Sequence, residues 1–130
     1  MSERADMRTP LGRVLGLGSA KEGVAHWWAQ RLTAVALVPL LLWFAAGLIA
    51  HLGAGRPQAL EWLGAPLPAI TMLLLLVAGF YHMSLGLQTV IEDYVGNEWV
   101  KLGALVLNRF VAFALAVAAI FAVLRIALGG

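Results

Sequence analysis

The sequence predicts an all-α membrane protein with three transmembrane helices, and three observations carry that prediction. The chain of 130 residues is 62% hydrophobic and only 12% charged. Its mean hydropathy of +0.86 lies far outside the range of soluble domains. Most of the basic residues lie singly beside long apolar runs. Three spans with short loops use nearly the whole length and leave little for an independent soluble domain.

Residues 1–25 read as an N-terminal tail and 26–130 as the membrane domain, with spans near 31–51, 67–91 and 102–125. The first contains nineteen uncharged residues, Leu32 to Ala50. At about 1.5 Å rise per residue they cover roughly the 30 Å of a hydrocarbon core. Pro39 inside this run removes one backbone hydrogen bond and is expected to bend the helix. The tail lacks the apolar core and small-residue cleavage site of a signal peptide, so the run is expected to be an uncleaved span. Ser19-Ala20-Lys21-Glu22 matches a capping box, which predicts a helix starting near Ala20 and running through His26-Trp27-Trp28 into the membrane.

Gly64-Ala65-Pro66-Leu67-Pro68 precedes the second span, and its two prolines suit a loop and the first turn of a helix. The third span is the weakest of the three. Asn108-Arg109 lies near its start, and its strictly uncharged part, Phe110 to Leu124, is fifteen residues. A long arginine near one end can snorkel to the interface.

Orientation follows from lysine and arginine near the span ends. The tail carries Arg4, Arg8, Arg13, Lys21 and Arg31, whereas the first loop carries only Arg56. The N-terminus is therefore expected in the cytoplasm, with the Lys101 loop on the same side and the C-terminus, just past Arg125, on the opposite side. Trp27, Trp28, Tyr94 and Trp99 would then mark the cytoplasmic interface and Trp62 the other. The net charge of +2 and a pI near 9.5 do not point to nucleic acid, because the basic residues are scattered singly beside the spans. Cysteine is absent, which removes disulfides, thiolate zinc sites and thiolate-held iron–sulfur clusters from this chain. Gly12, Gly16 and Gly18 lack the lysine-serine ending and flanking strand of a phosphate loop.

The residue that points to chemistry is His82. It lies in an uncharged run, Leu63 to Ile91, that ends at Glu92-Asp93-Tyr94. A polar side chain at membrane depth costs several kcal/mol without a partner, so such a histidine is a functional candidate. At about 100° per residue, Gly79, Gly86, Thr89 and Asp93 share its helix face within roughly 60°. The stripe has two readings. The glycines open a path for a flat ligand such as a porphyrin, or they let another helix pack closely while His82 hydrogen-bonds across the contact.

Haem iron in electron carriers often takes two axial protein ligands, and His26 and His51 sit at other depths, so a second ligand is expected from another subunit. Asp93 and Tyr94 fall about 16 to 18 Å further along a continuous helix. There a tyrosine can donate to a quinone carbonyl and an acid can relay protons, or the pair is an interfacial anchor beside a solvated acidic loop. Arg31 and Arg109 each read as a partner for an anionic cofactor group or as lipid-phosphate snorkels. Trp43 and Tyr81 read as packing residues.

GVAHWWAQRLTAVAL at residues 23 to 37 and HMSLGLQTVIEDYV at residues 82 to 95 resemble the small hydrophobic membrane-anchor subunit of succinate dehydrogenase, respiratory complex II. The resemblance covers nearly the whole chain. It implies that His82 is an axial ligand of haem b, shared with a histidine of a companion cytochrome b subunit. It also implies that Tyr94 hydrogen-bonds ubiquinone with Asp93 beside it in the proton path, and that Arg31 lies near the haem propionates. It gives no role to His26 and leaves Arg109 open.

In that family a flavoprotein subunit with FAD oxidises succinate and an iron–sulfur subunit passes the electrons on to quinone. The resemblance thus implies no residue for succinate oxidation on this chain, which would anchor the soluble pair at a bacterial inner membrane. Two other readings stand beside it: the anchor of a fumarate reductase, and a haem-free scaffold or transporter subunit in which His82 serves packing or a proton relay.

Overall fold

The computed structural model describes residues 19–129, and their side chains from Gly23 onward. The chain forms α1 (Ser19–Ala50), α2 (Arg56–Gly64), α3 (Pro66–Tyr94) and α4 (Glu98–Ala127), with no strand among the described residues. α1, α3 and α4 are long and apolar enough to cross a membrane. The protein is therefore an all-α, multi-pass membrane protein. In lipid a continuous helix satisfies its backbone groups internally, which is why each apolar run folds this way.

Each helix extends past the apolar run that announced it. α1 runs without interruption through Pro39 and is described from Ser19, but the side chains of the capping box lie outside the described residues. It ends in a turn where Gly53 and Gly55 take positive φ, 77° and 91°. α2 was not expected, since the sequence reading left 52–66 as a loop. Gly55 provides a backbone conformation that side-chain-bearing residues rarely adopt, and Pro57, with its φ already fixed, sits in the first turn.

Ala65, held extended at φ −66°, ψ 147° by the proline after it, separates α2 from α3. α3 then continues through Glu92, Asp93 and Tyr94, so these residues form its last turn and not a loop. After a short extended link, Asn97 caps α4 by accepting from the Trp99 and Val100 amides at 2.9 and 3.2 Å. α4 consequently starts at Glu98 and absorbs Lys101, whose Nζ lies 3.9 Å from Glu98.

α3 is the middle of the bundle: α1 packs on one side of it, α4 on another, and α1 does not pack on α4. The buried cluster of Ala69, Met72, Leu75 and Val123 meets Leu37, Leu40, Trp43 and Phe44 of α1. All of these lie in the half of the molecule nearer α2. Large apolar side chains such as Val35, Leu42, Phe110 and Phe121 face outward, as expected where the solvent is hydrocarbon and helices associate by close packing and polar contacts.

Candidate functional site

The other half of the α1–α3 seam is polar. On α1 the residues turned toward α3 recur with helical spacing as His26, Gln30, Thr33 and Leu37, so a line of three polar side chains precedes the apolar packing. His82 meets this line. Its Nδ1 lies 2.8 Å from Thr33 Oγ1, a contact between residues 49 positions apart. Thr33 Oγ1 also reaches back along its own helix to the carbonyls of Ala29, at 2.7 Å, and Gln30, at 3.1 Å. Nε2 of His82 has no hydrogen-bond partner among the described residues.

Two polar atoms in the same region are buried and unpartnered, His26 Nε2 and Gln30 Oε1. Such atoms are rare in finished structures and mark places where water or a polar ligand group belongs. Sequence reasoning missed Gln30 and Thr33. Neither stands out singly; their signal in the sequence is the set of three polar residues at i, i+4 and i+7 on one face entering an apolar span.

Both glycines that flank His82 look toward α1. A Cβ on Gly79 would lie 3.9 Å from Leu37 Cδ2, and one on Gly86 3.7 Å from Gln30 Nε2. These are ordinary van der Waals separations. The two glycines are thus in packing contact with α1, one of the two readings open from spacing.

Asp93 is exposed in the last turn of α3 on the same stripe as His82, while Tyr94 is 83% exposed. Neither side chain has a hydrogen-bond or ion-pair partner among the described residues. Arg31 is two residues before Thr33, about 200° round the helix. Its guanidinium lies 5.2 Å from the centre of the Trp27 ring, which itself packs edge-on against Trp28. The structure thus turns Arg31 away from the seam that holds His82.

α4 is tied to α3 by Asn108, whose Nδ2 donates to the Ser84 carbonyl at 2.9 Å. Arg109 donates to Gln88 Oε1 at 3.4 Å. It borders an open groove of about 580 Å³ that His26, Tyr81, Thr89 and Glu92 also line. His82, Asp93 and Tyr94 do not line this groove.

At the opposite end, His51 is already engaged. Its Nδ1–H donates to the Gly47 carbonyl at 2.8 Å, and its ring stacks on Trp62 with centroids 4.5 Å apart. Trp62 in turn lies 5.6 Å from Trp43. Trp43 is thus a packing residue, whereas Tyr81, half exposed, faces outward.

The three-span, all-α architecture agrees with what comparison with known proteins finds. Residues 5–124 match the family model described as succinate dehydrogenase/fumarate reductase transmembrane subunit. A succinate dehydrogenase hydrophobic membrane anchor subunit of Paracoccus denitrificans is 34% identical over 121 residues, 93% of each chain. The subunit of the same name from Rickettsia bellii (strain RML369-C) is 36% identical over 90 residues, covering 69% of this chain and 72% of its own. A succinate dehydrogenase membrane anchor subunit of Reclinomonas americana is 28% identical over 95 residues, covering 71% and 79%. By the extent of the family match and by these identities, the chain belongs to the succinate dehydrogenase/fumarate reductase transmembrane-subunit family.

Proposed function

We propose that this chain anchors a flavoprotein and iron–sulfur pair to the cytoplasmic face of a bacterial inner membrane, shares a haem b with a cytochrome b subunit, and completes a quinone-reduction site. Tail arginines outnumber those of the first loop, which supports an N-terminus on the cytoplasmic side and a C-terminus opposite. Tyr94 then falls at the face where electrons arrive from the soluble pair. Succinate is oxidised on the partners, and the two electrons released, together with two protons taken up from the aqueous side, convert quinone to quinol.

The observation that carries the reading is His82: a ring nitrogen held by its own chain at Nδ1, with Nε2 left without a partner among the described residues. That donor set fits a haem ligand. The unpartnered His26 Nε2 and Gln30 Oε1 on the same α1 face add polar groups suited to a bound molecule with a polar edge. Arg31 fits less directly, because its exposure and its contact with Trp27 favour snorkelling to lipid phosphate over a haem propionate. A bound haem supplies a one-electron store. The chain's own part is to hold the imidazole and present Tyr94.

At the quinone site, the Tyr94 hydroxyl donates to a quinone carbonyl oxygen and Asp93 hands on protons from the aqueous side. Both are exposed here because the remaining walls of that pocket belong to partner subunits.

The test is His82→Ala in the assembled complex, followed by the reduced-minus-oxidised spectrum and haem content per flavin. Loss of the haem b signal is expected. An unchanged spectrum and haem content would leave the haem-free scaffold as the better account. The family covers both reaction directions, and the names of the relatives favour succinate oxidation. Measured quinone preference separates the two.

A further inference from the structure

We propose that Thr33 is a positioning residue for His82: its hydroxyl fixes the imidazole as the Nδ1–H tautomer, so that the lone pair stands on Nε2 for the metal. The inference rests on the reading of His82 as a haem ligand and adds the residue on this chain that makes it competent.

The argument is one of counting protons. A threonine hydroxyl has one proton to donate and two lone pairs to accept with. Thr33 Oγ1 lies 2.7 Å from the Ala29 carbonyl oxygen and 3.1 Å from that of Gln30. Carbonyl oxygens only accept, so the hydroxyl proton is committed to the backbone of α1. The 2.8 Å contact with His82 therefore runs the other way, with Nδ1–H donating into a lone pair of Oγ1. A neutral imidazole has a single N–H. With that proton on Nδ1, Nε2 is left as the acceptor and ligand atom.

Membrane depth makes the assignment stringent, since an unsatisfied N–H in hydrocarbon costs several kcal/mol and few polar groups are within reach. In a helix a hydroxyl that bonds back to the i−4 carbonyl is held in place by that bond, whether serine or threonine carries it. The ring is thereby oriented as well as protonated on the required atom. The chain from carbonyl to hydroxyl to imidazole also polarises in one sense, which would make Nε2 a stronger electron donor to a bound metal, as outer-shell partners of metal-bound histidines do. Electron donation of this kind favours the ferric state.

The experiment compares Thr33→Val, which keeps the shape and removes the hydroxyl, with Thr33→Ser, which keeps the hydroxyl, and with His82→Ala, all in the assembled complex. Haem content per flavin, the g-values of the low-spin ferric signal and the haem midpoint potential are read. Thr33→Val is expected to weaken haem retention by on the order of 10-fold, to move the g-values and to shift the potential upward, while Thr33→Ser stays near the parent on all three. Thr33→Val indistinguishable from the parent, with His82→Ala losing haem, overturns the role of Thr33 alone. Retention of the haem by His82→Ala overturns the ligand assignment beneath it. Should Thr33→Val fail to assemble, Thr33→Ala against Thr33→Ser decides: equal potentials sink the proposal, and an upward shift confined to alanine supports it.

Discussion

The two ends of this helical bundle are built on opposite plans. Where α1 turns into α2, the chain closes on itself. His51 stacks on Trp62, Trp62 lies beside Trp43, and a Cβ on Gly47 would run into the Trp62 ring. The buried cluster around Met72, Leu75 and Val123 lies on this side. At the other end, where α3 stops and Asn97 starts α4, side chains are left open. Tyr94 and Trp99 are each 83% exposed, and His26 and Gln30 hold buried polar atoms with no partner.

The difference separates stability from function along one axis. At the closed end, Gly47 and the aromatic rings are set by packing within the chain. The open end leaves groups that, on the proposed function, other subunits and a cofactor would complete.

Substitutions at the two ends should therefore fail in different ways. The largest effect expected is from Gly47→Ala, since a methyl group has no room beside Trp62. Overpacking of this kind costs about 1–3 kcal/mol, and thermal unfolding in detergent should show a clear fall in midpoint. An unchanged midpoint would mean that the closed end is not the stability centre.

Tyr94→Phe sharpens the contrast from the open side. Removing one hydrogen-bond donor to a reacting carbonyl should slow quinone reduction by roughly 10-fold, about 1.4 kcal/mol, with succinate oxidation by a soluble dye acceptor and thermal stability both preserved. Parallel loss of both activities would signal an assembly defect instead.

Asn108→Leu removes the donor to the Ser84 carbonyl. It should lower stability by about 0.6 kcal/mol, the average for hydrogen bonds between membrane helices, without altering quinone kinetics. The smallest change is expected from His51→Phe, which keeps an aromatic ring on Trp62 and loses the bond to Gly47. Its midpoint should shift by less than that of Asn108→Leu, and a larger shift would show that the Gly47 bond outweighs the stack.

Much of the fold was legible in the sequence because hydropathy is a local property. Runs such as Leu32 to Ala50 and Leu63 to Ile91 announce spanning helices whatever their neighbours are. Their ends were less legible. Asn97 lets α4 begin before Lys101, and α3 carries Glu92 and Asp93 in its last turn, since charges at a helix end cost little once they reach the interface. α2 escaped the reading because a nine-residue helix of mixed polarity looks like a loop.

The site was half legible. His82, Asp93 and Tyr94 stand out as polar residues at telling depths, whereas Thr33 looks like any threonine in an apolar run until α1 is laid against α3.

Hydropathy and spacing alone determined that the chain is helical, that it crosses the membrane three times, and that a histidine lies deep in the second crossing. Only the tertiary structure decided how each span is rotated: that α3 stands between α1 and α4, that Gly79 and Gly86 turn toward α1, and that Thr33 faces His82. The reason is physical. A span surrounded by lipid is apolar on all sides, so its composition does not say which face turns inward, and that choice is made by a few small or polar groups meeting across a seam.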